Sequence, residues 1–226
     1  MRKKTTKLKV FKLRPQKRDQ ERANALTHGI PALLSIAGLG PLIILAALSG
    51  NLRHTISFAI FGAALVFLFC ASTIMHLDRS SGAVEPIYGF LDNVGINLVI
   101  AGTYTPLCMI TLHGPLGWTL LGIVWTLAIA AIVLAFIYGE RFMQHGNWVY
   151  LGMGWLMLIA IKSLALGLGW GGMALLVGGG MAFTAGVLFL VLQPVYQYHA
   201  VFHLFVDLGI LLHVLMLIFY VLPDTH

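Results

Sequence analysis

The chain has 226 residues, of which 59% are hydrophobic and 10% are charged, and its mean hydropathy is +0.89. Soluble domains of this length are rarely so apolar, so the composition predicts an integral membrane protein. Ten of the 14 Lys and Arg residues lie in the first 22 positions, and the net charge of +6 therefore belongs to an N-terminal tail. Because the excess charge is confined to that tail, we do not expect the protein to bind nucleic acid.

The basic tail, residues 1–22, is expected to be a cytoplasmic arm ahead of a transmembrane domain over residues 23–226. The apolar run that follows it is long enough to cross a membrane, which argues against a cleaved signal peptide. The arm either sets the topology by its charge or also contacts anionic lipid headgroups. Membrane lipids are thus the expected partners, and the cell membrane is the expected location.

Seven apolar runs follow the arm, each near the ~20 residues that a helix needs to cross about 30 Å of hydrocarbon. The runs cover residues 24–48, 54–76, 88–112, 116–138, 147–166, 173–193 and 198–222. Short connections leave little chain outside the membrane, so the sequence predicts one all-α domain, a bundle of seven transmembrane helices. With the arm in the cytoplasm, seven spans also place Arg79 and Arg141 inside, in agreement with the positive-inside rule.

Two histidines, His199 and His203, lie near the start of the last run. Residues four apart on a helix are about 40° apart around the axis and one turn apart along it, so both imidazoles can reach one metal ion. Two histidines buried in a core and hydrogen-bonded to neighbouring helices show the same spacing. The pair by itself leaves both interpretations open.

Further polar residues are expected at the depth of this pair. The second run ends with Ser72 and His76, again four apart, and the third run begins with Asp92. Under the predicted topology, all of these residues lie at cytoplasmic helix ends. This coincidence favours a functional site, and the alternative is a polar network that only joins helices, which is itself costly in lipid.

The residue types at this depth indicate a zinc site with His76, His199 and His203 as ligands. Three neutral imidazoles leave one position of a tetrahedral Zn²⁺ open for water, as in catalytic sites. Such an ion lowers the pKa of the water toward ~7 and polarises a carbonyl group. Asp92 would act as a base or orient an imidazole, and Ser72 would hold a ligand, a substrate carbonyl or a water.

Polar residues on two helices extend this group. Asp207 follows one turn after His203, and His213 falls back near the same face, so Asp207 either supports the site or binds water, or forms a hydrogen bond between helices. Glu21, Asn24 and His28 share a helical face, and they either close the cytoplasmic mouth of the site or cap the helix at the interface. Four other histidines are expected to be solvated: His54, His113, His145 and His226.

These motifs together resemble a known family. They are Glu21-x-x-Asn24-x-x-x-His28, Ser72-x-x-x-His76, Asp92 followed by Ala101-Gly102-Thr103-Tyr104-Thr105-Pro106, and His199-x-x-x-His203 with His213. The combination is similar to the bacterial hemolysin III proteins, a branch of the progestin and adipoQ receptor superfamily, over essentially the whole chain after the arm. The resemblance implies a seven-helix bundle with a cytoplasmic N-terminus, and zinc bound by the three histidines named above.

The resemblance also implies two kinds of activity. Related alkaline ceramidases use such a site to hydrolyse a lipid amide, and several bacterial members carry the hemolysin name for a cytolytic, pore-forming activity. Asn93, Phe202 and Asp207 depart from the residues that are usual in the family, although none is a proposed ligand. Three functions are therefore considered: a zinc-dependent hydrolase of lipid amides or esters, a pore-forming protein with structural zinc, and a ligand-sensing protein.

Overall fold

The computed structural model describes residues 16–49, 52–82, 85–143 and 145–223. Within these ranges the chain is helical and no β-strand occurs, which confirms the predicted all-α class. The α-helices are α1 (Arg18–Leu48), α2 (Leu52–Ser81), α3 (Pro86–Pro106), α4 (Gly114–Tyr138), α5 (Glu140–Met143), α6 (Gly146–Trp155), α7 (Ile161–Leu192) and α8 (Tyr198–Met216). A π-helical turn extends α3 over Leu107–Leu112, a second extends α8 over Leu217–Val221, and a 3₁₀ segment, Leu156–Ala160, joins α6 to α7.

Six elements in the described ranges are long and apolar enough to cross a membrane, and the longest, Gly146–Leu192, has 47 residues. That element contains the fifth and sixth predicted runs. Its backbone leaves the helical region at Gly169, where φ is 62° and ψ is −176°. The indole N–H of Trp155 donates a hydrogen bond to Thr184 Oγ1 at 3.1 Å. A straight helix would separate these two residues by about 43 Å at 1.5 Å per residue, so the element doubles back at Gly169.

The first helix begins before the predicted boundary between arm and domain. Residues 1–15, most of the predicted arm, lie outside the described residues, and α1 starts at Arg18. Asp19 and Glu21 lie in its first turn, where negative charge is favoured by the helix dipole. Glu21 is nevertheless buried, which already indicates a role beyond the interface.

The order of packing brings four helix ends together. Helix α1 packs on α2, α2 on α3, and α7 on α8, while α1 also contacts α8. At Gly95 an added Cβ would lie only 2.7 Å from the backbone Cα of Leu68, so only glycine permits this approach of α3 to α2. The N-termini of α1, α3 and α8 and the C-terminus of α2 thereby meet at one end of the bundle.

The junction between α6 and α7 has its own polar support. The Tyr104 hydroxyl is directed at the carbonyls of Met153 and Gly154, at 2.8 and 3.0 Å. The same hydroxyl accepts a hydrogen bond from the backbone N–H of Met157 at 2.9 Å. The α-helical hydrogen-bond pattern is interrupted where the helix changes to 3₁₀ geometry, and the buried tyrosine of α3 provides these groups with a partner.

Candidate metal centre

Three imidazoles meet at the end of the bundle described above. His76 from α2 and His199 and His203 from α8 each offer one ring nitrogen, and these three atoms lie within 4.8 Å of one another. His76 and His203 are almost fully buried, with 1% and 2% of their surface exposed. The structure therefore brings together the three residues that the sequence predicts as ligands.

The carboxylate of Glu21 determines which nitrogen of His76 is available. His76 Nδ1 lies 2.6 Å from Glu21 Oε2, and a carboxylate can only accept here, so Nδ1 carries the hydrogen. Nε2 then keeps its lone pair, and it is buried without a hydrogen-bond partner among the described residues. A carboxylate that orients a histidine in this way is a common support for a metal ligand. The spacing of Glu21 with Asn24 and His28 predicted a polar helix face, but it did not predict the contact of Glu21 with His76.

A threonine has the same effect on His203. Thr27 Oγ1 donates its hydrogen to the backbone carbonyl of Asn24 at 2.8 Å and lies 2.9 Å from His203 Nδ1. With its only hydrogen already donated, the hydroxyl accepts from Nδ1–H, and Nε2 of His203 keeps its lone pair. Sequence reasoning missed Thr27. Its position between Asn24 and His28, on the helix face already recognised as polar, was the available signal.

Asp92 and Ser72 lie beside the three imidazoles, as predicted. The Asp92 carboxylate lies near the Ser72 hydroxyl and within electrostatic reach of His76 and Arg79. Ser72 is fully buried, and its oxygen lies 2.7 Å from His28 Nδ1. Arg79, whose charge contributes to the predicted topology, lies near both Asp92 and His199.

His28 and Asp207 form a second layer next to this group. The rings of His28 and His203 are stacked with centroids 3.6 Å apart and an interplanar angle of 14°. On the other side of His28, its Nε2 lies 3.8 Å from Asp207 Oδ1. The structure thus places both residues beside the centre, and Asn24 lies there too, with its amide nitrogen 3.5 Å from Glu21 Oε2.

Two histidines do not lie where the sequence analysis put them. His213, grouped with the site, has its Nε2 3.1 Å from the Leu176 carbonyl and its ring against Phe183, so it joins α8 to α7 away from the centre. His54, expected to be solvated, is 1% exposed, because the start of α2 is packed into the bundle. His113 and His145 are exposed as predicted, and His226 lies outside the described residues.

The donors of this site fit a transition-metal ion. Imidazole nitrogen is a preferred ligand of several divalent metals, and three such nitrogens converge here. Two of the three rings are oriented by neighbours so that Nε2 keeps its lone pair, and the buried Nε2 of His76 has no other described partner. An uncompensated buried lone pair is costly, so a metal ion at this position would also satisfy the polar site.

Comparison with known proteins identifies the family. The family model described as Haemolysin-III related matches residues 16–214. The chain belongs to the haemolysin III family. This result confirms the resemblance carried by the motifs, and with the apolar helices it confirms a multi-pass protein of the cell membrane.

Individual relatives of this haemolysin III protein come from bacteria and mammals. Hemolysin-3 of Bacillus cereus is 42% identical over 206 residues, which cover 91% of this chain and 94% of that protein. The Hemolysin-3 homolog of Bacillus subtilis (strain 168) is 42% identical over 187 residues, which are 83% of this chain and 87% of the homolog. The monocyte to macrophage differentiation factor of Homo sapiens is 27% identical over 196 residues, or 84% and 80% of the two chains.

Proposed function

We propose that the protein is a zinc-dependent hydrolase of lipid amides or esters. The observation that supports this best is the meeting of three imidazole nitrogens with a carboxylate and a hydroxyl that complete no ligand set. A purely structural three-histidine site needs no free base beside it. Asp92 and Ser72 offer a carboxylate and a hydroxyl beside the three histidines. Both lie toward the end of the bundle at which the headgroup region of a lipid would reach the site.

Zn²⁺ is the proposed ion, because three histidines and one open position are typical of catalytic zinc. His76, His199 and His203 would hold it. When bound, the ion would polarise a substrate carbonyl and lower the pKa of a water molecule at the site. Glu21 and Thr27 orient two of the rings before any ion arrives, so little reorganisation is needed on binding.

The side chains next to the ligands would handle the proton. Asp92 would accept a hydrogen from the attacking water, since its carboxylate lies beside the ligand His76. The Ser72 hydroxyl, placed between Asp92 and His28, would keep the carboxylate in this orientation. Arg79, which lies near Asp92 and His199, would place a positive charge close to the anion that hydrolysis produces.

The proposed topology has seven spans with the N-terminus and the site at the cytoplasmic side. Its support is the fold-back at Gly169, which lets the 47-residue element cross twice. Two crossings precede the connection with Arg79 and four precede the one with Arg141, so both connections lie on the same side as the basic arm.

The decisive experiment replaces the base and keeps the ligands. Asp92→Asn should retain the metal and the melting temperature but lower turnover by about 10²–10⁴-fold, as is usual when a general base is lost. Zinc content, melting temperature and release of fatty acid from a panel of lipid amides and esters would be measured in one detergent. Asp78→Asn is the matched control, because its carboxylate accepts the backbone N–H of Glu85 at 3.0 Å and does not face the imidazoles.

The printed names of the Bacillus relatives support a second candidate, a cytolytic protein in which the metal only joins helices. In that case Asp92→Asn would be neutral, or would lose zinc and thermal stability together. If the wild type hydrolyses no lipid of the panel and Asp92→Asn loses zinc, the cytolytic protein with a structural metal is the better explanation.

A further inference from the structure

A cavity of about 630 Å³ lies at the end of the bundle opposite the metal centre. Its walls come from the π-helical turn after α3, the π-helical turn after α8 and the first part of α7. The volume is within the range of about 300–1,000 Å³ that is common for small-molecule sites. Two of its apolar lining residues, Leu166 and Phe219, are 88% and 63% exposed, so the cavity is accessible from the lipid side of the bundle.

The irregular backbone at this end of the bundle surrounds the cavity. Both π-helical turns found in the described ranges, Leu107–Leu112 and Leu217–Val221, contact each other and contribute to its lining. Gly167, which also lines it, is two residues before the break at Gly169. Turns of the π type occur frequently at functional sites, and irregular backbone at membrane depth is tolerated where it is buried in protein or lines a cavity.

The π-helical turn after α3 leaves the hydroxyl of Thr111 without a partner. Thr103 and Thr105, on the regular part of α3, donate to the carbonyls four residues earlier, both at 2.8 Å. Thr111 lies where the helical hydrogen bonds span five residues, and its buried Oγ1 forms no hydrogen bond with any residue that the structure describes. The residue is 8% exposed. Because an unpaired buried hydroxyl is unfavourable, a partner from outside the chain would stabilise it.

Three further polar side chains line the same cavity: His113, Ser163 and Tyr220. His113 Nδ1 lies 3.1 Å from the carbonyl of Ile110, which only accepts, so Nε2 is left as an acceptor. The hydroxyls of Ser163 and Tyr220 form no hydrogen bond within the described part of the chain. The cavity thus offers three hydroxyls, which both donate and accept, and one acceptor nitrogen.

The lining contains no Asp, Glu, Lys or Arg among the residues that the structure describes. A charged group moved from water into this cavity would lose hydration without gaining a counter-charge. The hydroxyl groups of a ligand lose less, because each can donate and accept at the same time, as the lining hydroxyls do. The chemistry of the lining therefore favours a neutral ligand with several hydroxyl groups.

We propose that this cavity binds the headgroup of a neutral lipid that carries free hydroxyl groups, such as a monoacylglycerol. The headgroup would contact Thr111, Ser163 and Tyr220, while the acyl chain would lie along the exposed Leu166 and Phe219. A lipid is the expected source because the cavity lies at helix ends, at the depth of headgroups, and is accessible from the lipid side. The site is separate from the metal centre and does not depend on the proposed hydrolase.

Binding of simple amphiphiles tests this site without requiring turnover. The full-length protein in phosphatidylcholine nanodiscs would be titrated with monolauroylglycerol, and its melting temperature recorded. The melting temperature should rise by roughly 5–10 °C when the lipid is near a hundredfold above its Kd. Three comparison compounds should give shifts close to zero: methyl laurate, which has the chain without hydroxyls, lauroyl lysophosphatidylglycerol, which adds a negative charge, and glycerol, which lacks the chain.

Variants of the lining identify the location. Thr111→Val removes a hydroxyl that has no partner, so the melting temperature without ligand should stay the same or rise, whereas the affinity for monolauroylglycerol should fall about 3- to 10-fold. Thr103→Val is the matched control, since its buried hydroxyl already donates to Val99; it should lower the melting temperature and keep the affinity. If Thr111→Val does not fold, Tyr220→Phe replaces it and should weaken binding to a similar extent.

Several results would overturn the proposal. An equal shift with methyl laurate would show that the acyl chain alone fills the cavity, and an equal shift with glycerol would show that the occupant is a water-soluble polyol. An equal shift with the charged lipid would contradict the neutral class. Unchanged affinity in the folded Thr111→Val and Tyr220→Phe variants would show that water satisfies the lining hydroxyls and that the lipid binds elsewhere.

Discussion

At the scale of single residues, two of the three histidines of the centre have one ring nitrogen hydrogen-bonded to a neighbour. Glu21 binds Nδ1 of His76, and Thr27 binds Nδ1 of His203, so both rings keep the lone pair of Nε2 available. The neighbours come from α1, whereas the ligands come from α2 and α8. Residues of the first helix therefore prepare ligands on two others.

Loss of a ligand should remove the metal. Changing His76, His199 or His203 to Ala leaves two imidazoles, and an incomplete set in a low-dielectric bundle binds zinc poorly. We expect stoichiometric zinc in the wild type and little in each variant, measured by mass spectrometry of the purified protein. His145→Ala, at an exposed position, is the control. Unchanged zinc in all three ligand variants would rule out the assignment.

The Glu21 carboxylate, which contacts His76, should affect how tightly the metal is bound rather than whether the site can be filled. Glu21→Gln keeps the size of the side chain but weakens the acceptor, and loss of such a support commonly lowers metal affinity by about 10–100-fold. Competition with a chelator would measure the change. Asp19→Asn, an exposed carboxylate in the same turn of α1, should leave the affinity as it is. Equal affinities for the wild type and Glu21→Gln would contradict the role given to this contact.

At the scale of elements, the architecture depends on a break inside the longest helical segment. Gly169 has φ of 62° and ψ of −176°, a combination that side chains with a Cβ rarely adopt, and no atom lies within 4 Å of an added Cβ. Glycine is therefore favoured at position 169 by the backbone conformation and not by a lack of space for a side chain. The break separates two helical segments, which pack side by side and are joined by the hydrogen bond from Trp155 to Thr184.

Substitution at the break should destabilise the bundle. Gly169→Ala is expected to cost about 1–3 kcal/mol, the usual range for a residue held in a sparsely populated backbone region. The melting temperature should fall by several degrees. Gly122→Ala makes the same chemical change inside α4, also in open space but with helical φ, and should be neutral or slightly stabilising. Identical melting temperatures for the two variants would show that the turn is not strained.

At the scale of the whole molecule, four helix ends from distant parts of the chain form the site. The hydrogen bonds His76–Glu21 and His203–Thr27 join residues 55 and 176 positions apart in sequence. Such contacts exist only when the bundle is closed. The polar group is therefore a property of the assembled protein, and it sits where α1, α2, α3 and α8 are held against one another.

Topology can be tested on the intact protein. Seven crossings place a reporter at the N-terminus in the cytoplasm and one after His226 outside, because an odd number of spans exchanges sides. A third reporter, inserted at Gly169, should read external, since the fold-back would lie at the outer surface. Two terminal reporters on the same side would mean an even number of crossings, and the common depth of the polar residues would need another explanation.

The helical class, the membrane location and the identities of the candidate ligands follow from the sequence, because they depend on local features. Apolar run length predicts the spans, and spacings of four place Ser72 with His76 and His199 with His203 on shared helix faces. These patterns need no knowledge of neighbouring helices. For the same reason the family could be recognised from motifs alone.

Only the tertiary structure decided how the helices turn toward one another. It paired Glu21 with His76, stacked His28 on His203 and set Asp207 against His28, and it directed His213 to α7 instead. The rotation and tilt of a helix in a bundle are set by packing against several neighbours at once, and that information is spread over the whole chain. Periodicity shows which residues share a face, but the bundle determines what that face contacts.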